Sequence, residues 1–284
     1  MPWRGEHAAS DLTRLPDPAD LQALEAAAAK AFGVADPARV VAVAGAEAGL
    51  RLLPSVLGVG DVEIAEPTYG GHAEAWRAAG AEVRAGGRAL VIVNPNNPDG
   101  REVSREALIE RTLPNPALDE RWLIVDESFG EAAPRLSVAD VEADLLIVLR
   151  SFGKFYGLPG LRLGFVIAAP ALAAKIRARL GDWPVSSEAI AIGRAAYADT
   201  AWREKAGKRL QCGAERLDAL LLKAGYDILG GTSLFRLAAA PDAQLRFQRL
   251  CAAGILTRPF RDHPTWLRFG IPAPRDFARL EAAL

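Results

Sequence analysis

The chain has 284 residues, of which half are hydrophobic, so it is long enough for one large globular domain and a smaller one. Its 34 basic and 35 acidic residues give a net charge of −1. This balance excludes an electrostatic basis for binding nucleic acid or an anionic membrane as the main partner, and it favours a small-molecule ligand.

Cysteine and histidine are too sparse for a disulfide framework or a metal site. The two cysteines and three histidines lie far apart and without metal-type spacing, so no metal is expected. No apolar run reaches membrane-spanning length, and the amino terminus, MPWRGEHAASD, lacks the hydrophobic core of a signal peptide. We therefore expect a cytoplasmic protein.

Short β-branched runs alternate with alanine-rich stretches over the first two thirds of the chain. The predicted strands are 40–45, 62–67, 89–94, 122–127, 145–149 and 163–168. Predicted helices cover 19–32, 46–57, 70–79 and 104–113. Repeated strand–helix–strand units need crossover connections, which predicts an α/β fold with a mainly parallel sheet.

After residue 170 the pattern changes to long helices followed by short strands. Helices are predicted at 170–180, 186–198 and 202–224, and strands near 234–238, 255–258 and 266–270. We therefore predict a large domain over 30–185, joined by an amino-terminal segment 1–29, and a smaller α+β domain over 186–284.

Polar groups gather where the predicted strands end. AGAEAG (44–49) runs from a strand through glycine into a helix, whose free N–H groups can hold a phosphate. VNPNNPDG (93–100) suits an ordinary turn, yet Asn97 there is also able to donate an N–H to an oxygen anion. Neither motif is specific alone.

Two further strand ends carry charge. Asp126 closes the apolar strand WLIVDE and needs a cationic or hydrogen-bonding partner. In SFGKFYGLPGLRLGF (151–165), Ser151, Lys154 and Arg162 follow another strand. In an open α/β sheet, ligands bind at this edge. An anion site, a buried carboxylate, an amide donor and a lysine suit a phosphorylated, protonatable heterocycle that carries an aldehyde, which is pyridoxal 5′-phosphate.

With these motifs in this order, the chain resembles the fold-type I pyridoxal-phosphate enzymes of the class I/II aminotransferase family. The resemblance extends from about residue 18 to the end. It implies that Lys154 bonds to the cofactor aldehyde, aided by burial beside cationic groups, and that Asp126 pairs with the ring nitrogen. It also implies a donor to the phenolic oxygen at Asn97.

The remaining roles follow from the same resemblance. Ser151, Arg162 and the backbone of Ala46 and Glu47 would hold the phosphate. Tyr69, in PTYGGHAEAW, would stack on the cofactor ring.

Three further residues complete the implied site. His72 would orient Asp126, although a polar residue on a helix's first turn is an alternative. In TWLRFGIP (265–272), Arg268 would bind the substrate carboxylate. Arg258 is a second candidate for that carboxylate or for another anionic group.

The motifs are most similar to the cobalamin-biosynthesis branch of threonine-phosphate decarboxylases. That branch implies decarboxylation of L-threonine O-3-phosphate, an amino-acid phosphate, to (R)-1-amino-2-propanol O-2-phosphate. The alternatives are a histidinol-phosphate-type aminotransferase and a non-catalytic binding module of this fold. The family resemblance also implies a homodimer.

The sequence departs from the family at several places that bear on this choice. Gly153 precedes Lys154 where many relatives have serine, and the segment between Gly80 and Leu90 is brief where relatives have an additional strand and helix. Phe129 stands where many aminotransferases have a tyrosine that contacts the phenolic oxygen, so that donor is missing. Only about seventeen residues precede the first predicted helix, whereas relatives carry a longer segment that reaches into the active site.

Overall fold

The structure is a computed structural model that describes residues 2–7, 10–113 and 121–284. The chain forms two compact units. The large unit comprises residues 2–95 and 102–200, and the small unit comprises residues 96–101 and 201–284. The domain boundary expected at residue 186 stays a prediction.

A seven-stranded sheet forms the centre of the large unit, with strand order β1-β7-β6-β5-β4-β2-β3. The strands are β1 (Val40–Val43), β2 (Asp61–Ile64), β3 (Glu82–Val83), β4 (Ala89–Val93), β5 (Trp122–Glu127), β6 (Leu146–Ser151) and β7 (Gly164–Ile167). β7 runs antiparallel to both of its neighbours, and the other pairings are parallel. The prediction of a mainly parallel sheet is confirmed.

The helices of the large unit are α1 (Pro18–Phe32), α2 (Ala46–Leu57), α3 (Gly71–Ala78), α4 (Arg105–Glu110), α5 (Phe152–Phe155), α6 (Pro170–Leu180) and α7 (Ser187–Ala198). Local capping sets the ends of α1. The Asp17 side chain accepts the Ala19 N–H at 2.8 Å, and Gly33 ends the helix with a φ of 77°.

Helices cover both faces of this sheet. α2, α3 and α6 pack Leu53, Trp76 and Ile176 into a core on one face. On the other face, Phe32 of α1 and Tyr197 of α7 meet Phe165 of β7, with ring centroids 5.2–5.7 Å apart. Because both faces are covered, the strands are continuous apolar runs, which is why the sequence revealed them.

The small unit has a four-stranded antiparallel sheet, with strand order β10-β11-β9-β8. Its elements are α8 (Thr200–Lys223), β8 (Asp227–Thr232), β9 (Phe235–Ala239), α9 (Ala243–Ala252), β10 (Arg258–Pro259), β11 (Trp266–Gly270) and α10 (Phe277–Ala283). β8, α9 and α10 were not predicted. β8 is broken by a register shift beside Gly230, and α9 buries only Ala243 and Leu250.

Across the described ranges 2–7, 10–113 and 121–284, no helix combines the length and apolarity needed to cross a membrane.

The core contribution of α3 is testable at Trp76, which is 1% exposed. We expect Trp76→Ala to lower the free energy of unfolding by about 3–5 kcal/mol, because it removes the transfer energy of the ring and leaves a cavity. The matched control is Trp183→Ala, at a tryptophan that is 54% exposed. Urea unfolding followed by circular dichroism measures both. Equal losses would contradict the assignment of Trp76 to the core.

Candidate active site

Asp126 is a buried carboxylate in the candidate site. It lies at the end of β5, is 3% exposed, and faces α3. Its Oδ2 lies 2.9 Å from Nε2 of His72, and its Oδ1 accepts the Ser128 N–H at 2.8 Å. His72 is itself 1% exposed. The structure therefore brings His72 and Asp126 together as predicted.

The pKa of Asp126 reflects opposing effects. Burial acts to raise it, but the His72 hydrogen bond and charge and the charge of Lys154 outweigh burial, so that the pKa of Asp126 falls to about 2. The carboxylate is therefore ionised at neutral pH, and Nε2 of His72 carries the proton that it donates. An ionised carboxylate retains acceptor capacity for a protonated ring nitrogen.

Lys154 lies on α5, the single helical turn that follows β6. Its Nζ is 4.1 Å from the centroid of the Phe129 ring, a cation–π distance. Lys154 is exposed, whereas Phe129 is buried. The expectation of a buried lysine is therefore wrong, because the amine lies at the surface of its turn and contacts a ring face.

The turn from β1 into α2 forms an anion cradle. Gly45 has a φ of 87°, and a Cβ at that position would come within 2.6 Å of Nη2 of Arg162. The N–H groups of Ala46 and Glu47 precede the first helical bond of α2, which runs from Ala48 to Gly45.

Ser151 lies near the start of α2 because of the pairing between β6 and β7. It pairs with Gly164 across β6 and β7, and a Cβ on Gly164 would collide with the Ala46 nitrogen. A guanidinium, helix-start N–H groups and a hydroxyl form a donor set that fits a phosphate.

Tyr69 is 40% exposed and donates its hydroxyl to Oε2 of Glu47 at 3.1 Å. Its ring stands edge-on to the His72 ring, with centroids 6.2 Å apart. Burial and then the charge of Glu47 raise the pKa of Tyr69, so the phenol stays protonated. The stacking role assigned to Tyr69 stays a prediction.

The small unit holds the other three predicted residues. Arg258 and Arg268 are paired across β10 and β11, so their side chains share one face of the sheet. Arg268 also donates to Oδ1 of Asn97, which leaves the Asn97 NH₂ group to act as a donor. Gly100 allows the segment 96–101, which carries Asn97, to lie against β8, because a Cβ at Gly100 would collide with the Gly231 carbonyl.

Burial, followed by the charge of Arg258, lowers the pKa of Arg268. Neither guanidinium has an ion-pair partner among residues 2–7, 10–113 and 121–284. Two adjacent cations without carboxylates are suited to bind anions.

Sequence reasoning missed two contributors to this site. Phe129 was interpreted as a missing hydroxyl donor that is typical of the decarboxylase branch, yet its ring also faces the Lys154 amine. Gly164 was seen only as part of a strand, and no sequence signal tells that its hydrogen faces the start of α2.

Comparisons with known proteins identify the family to which the chain belongs. The family model described as aminotransferase class I and II matches residues 85–284. The chain belongs to this family. Threonine-phosphate decarboxylase from Pseudomonas aeruginosa (strain PAO1) is 38% identical over 96% of this chain and 84% of the relative. Threonine-phosphate decarboxylase from a Sinorhizobium species is 39% identical over 95% of this chain and 84% of that relative.

The fold agrees with solved structures of the family. The histidinol-phosphate aminotransferase from Clostridium acetobutylicum superimposes with a TM-score of 0.84, at 21% identity, over 96% of this chain and 90% of that one. The predictions of family, fold class and enzymatic character are confirmed, and the family confirms pyridoxal 5′-phosphate as the cofactor.

The anion cradle is testable at Gly45. We expect Gly45→Ala to weaken binding of pyridoxal phosphate at least about tenfold, because the new Cβ displaces Arg162 and strains the positive φ. Gly58→Ala is the matched control, since Gly58 ends the same helix at a φ of 63° with nothing within 4 Å of a new Cβ. Absorbance titration measures the affinity. Equal losses in both variants would exclude a cradle at Gly45.

The Asp126–His72 pair predicts a pH dependence. The folded pKa of Asp126, about 2, lies below its ordinary value of 3.8. The carboxylate therefore stabilises the fold above pH 4, and this contribution is lost as the pH falls to 2. His72→Leu should raise this pKa and cost about 2 kcal/mol at pH 6, with a smaller difference at pH 2.

Glutamine is the matched variant, because His72→Gln keeps an N–H donor. Unfolding of the apoprotein in urea between pH 2 and 6 measures the effect. The hydrogen bond is not responsible if His72→Leu loses the same stability at every pH.

Proposed function

We propose that this chain decarboxylates L-threonine O-3-phosphate to (R)-1-amino-2-propanol O-2-phosphate, using pyridoxal 5′-phosphate. The observation that carries this proposal is the likeness, over nearly the whole chain, to two threonine-phosphate decarboxylases at 38% and 39% identity. The arginine pair of the small unit supports the same substrate class. The proposal also includes a cytoplasmic location and a homodimer.

When bound, pyridoxal phosphate supplies an electron sink for the pair left at Cα as carbon dioxide departs. In this proposal, Lys154 holds the cofactor aldehyde, and Ser151, Arg162 and the α2 start hold its phosphate. Asp126, kept ionised by the hydrogen bond and charge of His72, would hold a proton on the ring nitrogen. Tyr69 stacks on the ring, and the Asn97 amide donates to its phenolic oxygen.

The substrate carries two anionic groups, a carboxylate and a phosphate. Arg258 and Arg268 offer two guanidinium groups on one sheet face. We assign the carboxylate to Arg268, whose position is fixed by its bond to Asn97, and the phosphate to Arg258, which is exposed. A carboxylate held by Arg268 has its Cα–carboxylate bond oriented by a fixed group, which is a requirement for breaking that bond selectively.

Lys154, released from the aldehyde when the substrate amine replaced it there, would donate a proton to Cα after carbon dioxide leaves. The Phe129 ring 4.1 Å from Nζ favours the ammonium form through its negative face. A phenylalanine here supplies that face without a hydroxyl that would compete for the amine. The residue therefore supports protonation, which is the closing step of a decarboxylation.

The proposal predicts carbon dioxide release from threonine phosphate. Incubation with threonine phosphate, and separately with histidinol phosphate plus 2-oxoglutarate, distinguishes the two enzymatic readings. We expect carbon dioxide in the first mixture and no glutamate in the second. Glutamate without carbon dioxide would establish the aminotransferase alternative. A yellow protein that forms neither product would indicate the non-catalytic module.

Arginine variants test the substrate assignment in the same assay. Arg258→Gln and Arg268→Gln should each raise KM at least about tenfold, because each removes a charged hydrogen-bonding group for one substrate anion. Arg261→Gln is the matched control, since Arg261 is exposed in the loop between β10 and β11. An unchanged KM in both paired variants would contradict the assignment.

A further inference from the structure

A buried ion pair lies directly beside the candidate site. Glu127 of β5 and Arg150 of β6 stand opposite each other in the parallel register, and they are 1% and 4% exposed. Each is adjacent in sequence to a site residue, Asp126 and Ser151 respectively. Because side chains alternate along a strand, the pair lies on the sheet face opposite to Asp126.

Arg150 is held by two carboxylates. Its Nη1 donates to Oε2 of Glu127 at 2.7 Å, and its Nη2 lies 3.1 Å from Oε1 of Glu131. Glu127 also accepts the Val138 N–H at 2.7 Å. The Phe32 ring covers the guanidinium at 4.5 Å. Three charges are thus buried together, an arrangement that well-packed apolar residues often replace without loss of stability.

The guanidinium also sets the path of the chain after β5. Glu127 and Glu131 are four residues apart and contact the same side chain, so the intervening segment curls around Arg150. Gly130 permits this approach, because a Cβ there would lie 2.5 Å from Nη1 of Arg150. Phe129 lies inside this curl, and its ring faces Lys154.

We infer that Arg150 is a positioning residue that, by gripping Glu127 and Glu131, holds the Phe129 ring against the Lys154 amine. Arg150 also precedes the turn that carries Lys154, so one guanidinium fixes both partners of this contact. The inference rests on the proposed cofactor at Lys154, and it is independent of which substrate is used.

The test follows the visible absorbance band of the holoenzyme with pH. The midpoint of this band reports protonation of the Lys154 nitrogen, and the face of the Phe129 ring favours the protonated form. We therefore expect Arg150→Met, which releases the ring, to lower the pH midpoint by about half a unit or more. Phe129→Leu should lower the midpoint by the same amount. The double variant should show no further shift, since both changes remove one contact.

Two variants guard against a merely structural effect. Arg177→Met is the matched control, because Arg177 forms an ion pair with Glu25 at 2.9 Å and bonds to Ala38 and Val40. It should lower the melting temperature and leave the midpoint unchanged. Glu131→Gln, which keeps the shape of the side chain, replaces Arg150→Met if that variant does not fold, and it should shift the midpoint in the same direction.

Several outcomes would overturn the inference. A folded Arg150→Met or Glu131→Gln protein with the wild-type midpoint shows that the grip does not act on Lys154. Additive shifts in the double variant show that Arg150 does not act through Phe129. Because absorbance needs no substrate, failure of threonine phosphate to react would refute the proposed reaction and leave this test decisive.

Discussion

The candidate site depends on keeping one carboxylate ionised in the protein interior. Asp126 is almost fully buried, and burial alone favours its protonated form. His72 and Lys154 reverse that preference. The helix that carries His72 is anchored by Trp76 in the core, so the electrostatics of the site depend on ordinary hydrophobic packing one helical turn away.

At the carboxyl ends of β5 and β6, the two faces of the sheet carry different groups of side chains. Asp126 and Ser151 point to the face with α2 and α3, whereas Glu127 and Arg150 point to the face with α1 and α7. Adjacent residues thus serve different purposes because a strand alternates its side chains. The reactive groups lie on one side, and the charges that hold the strand ends in register lie on the other.

Strong local signals explain what the sequence could predict. β4, β5 and β6 are apolar on both faces, and the motifs around Asp126 and Lys154 occur in the family's order. β8 was missed because Gly230 and Gly231 interrupt its pattern. The sequence alone could not predict two contacts, that of Phe129 with Lys154 and that of Glu127 with Arg150. Both depend on which strands become neighbours and in what register.

The bond between Arg268 and Asn97 joins residues 171 positions apart. Asn97 is therefore synthesised long before Arg268. The segment 96–101 cannot make this hydrogen bond until β11 has been synthesised. Contacts of such long sequence separation form late because closing the intervening chain is entropically costly. The anion-binding face therefore forms only after every strand of the central sheet has been synthesised, since β7 ends at Ile167 and β11 begins at Trp266.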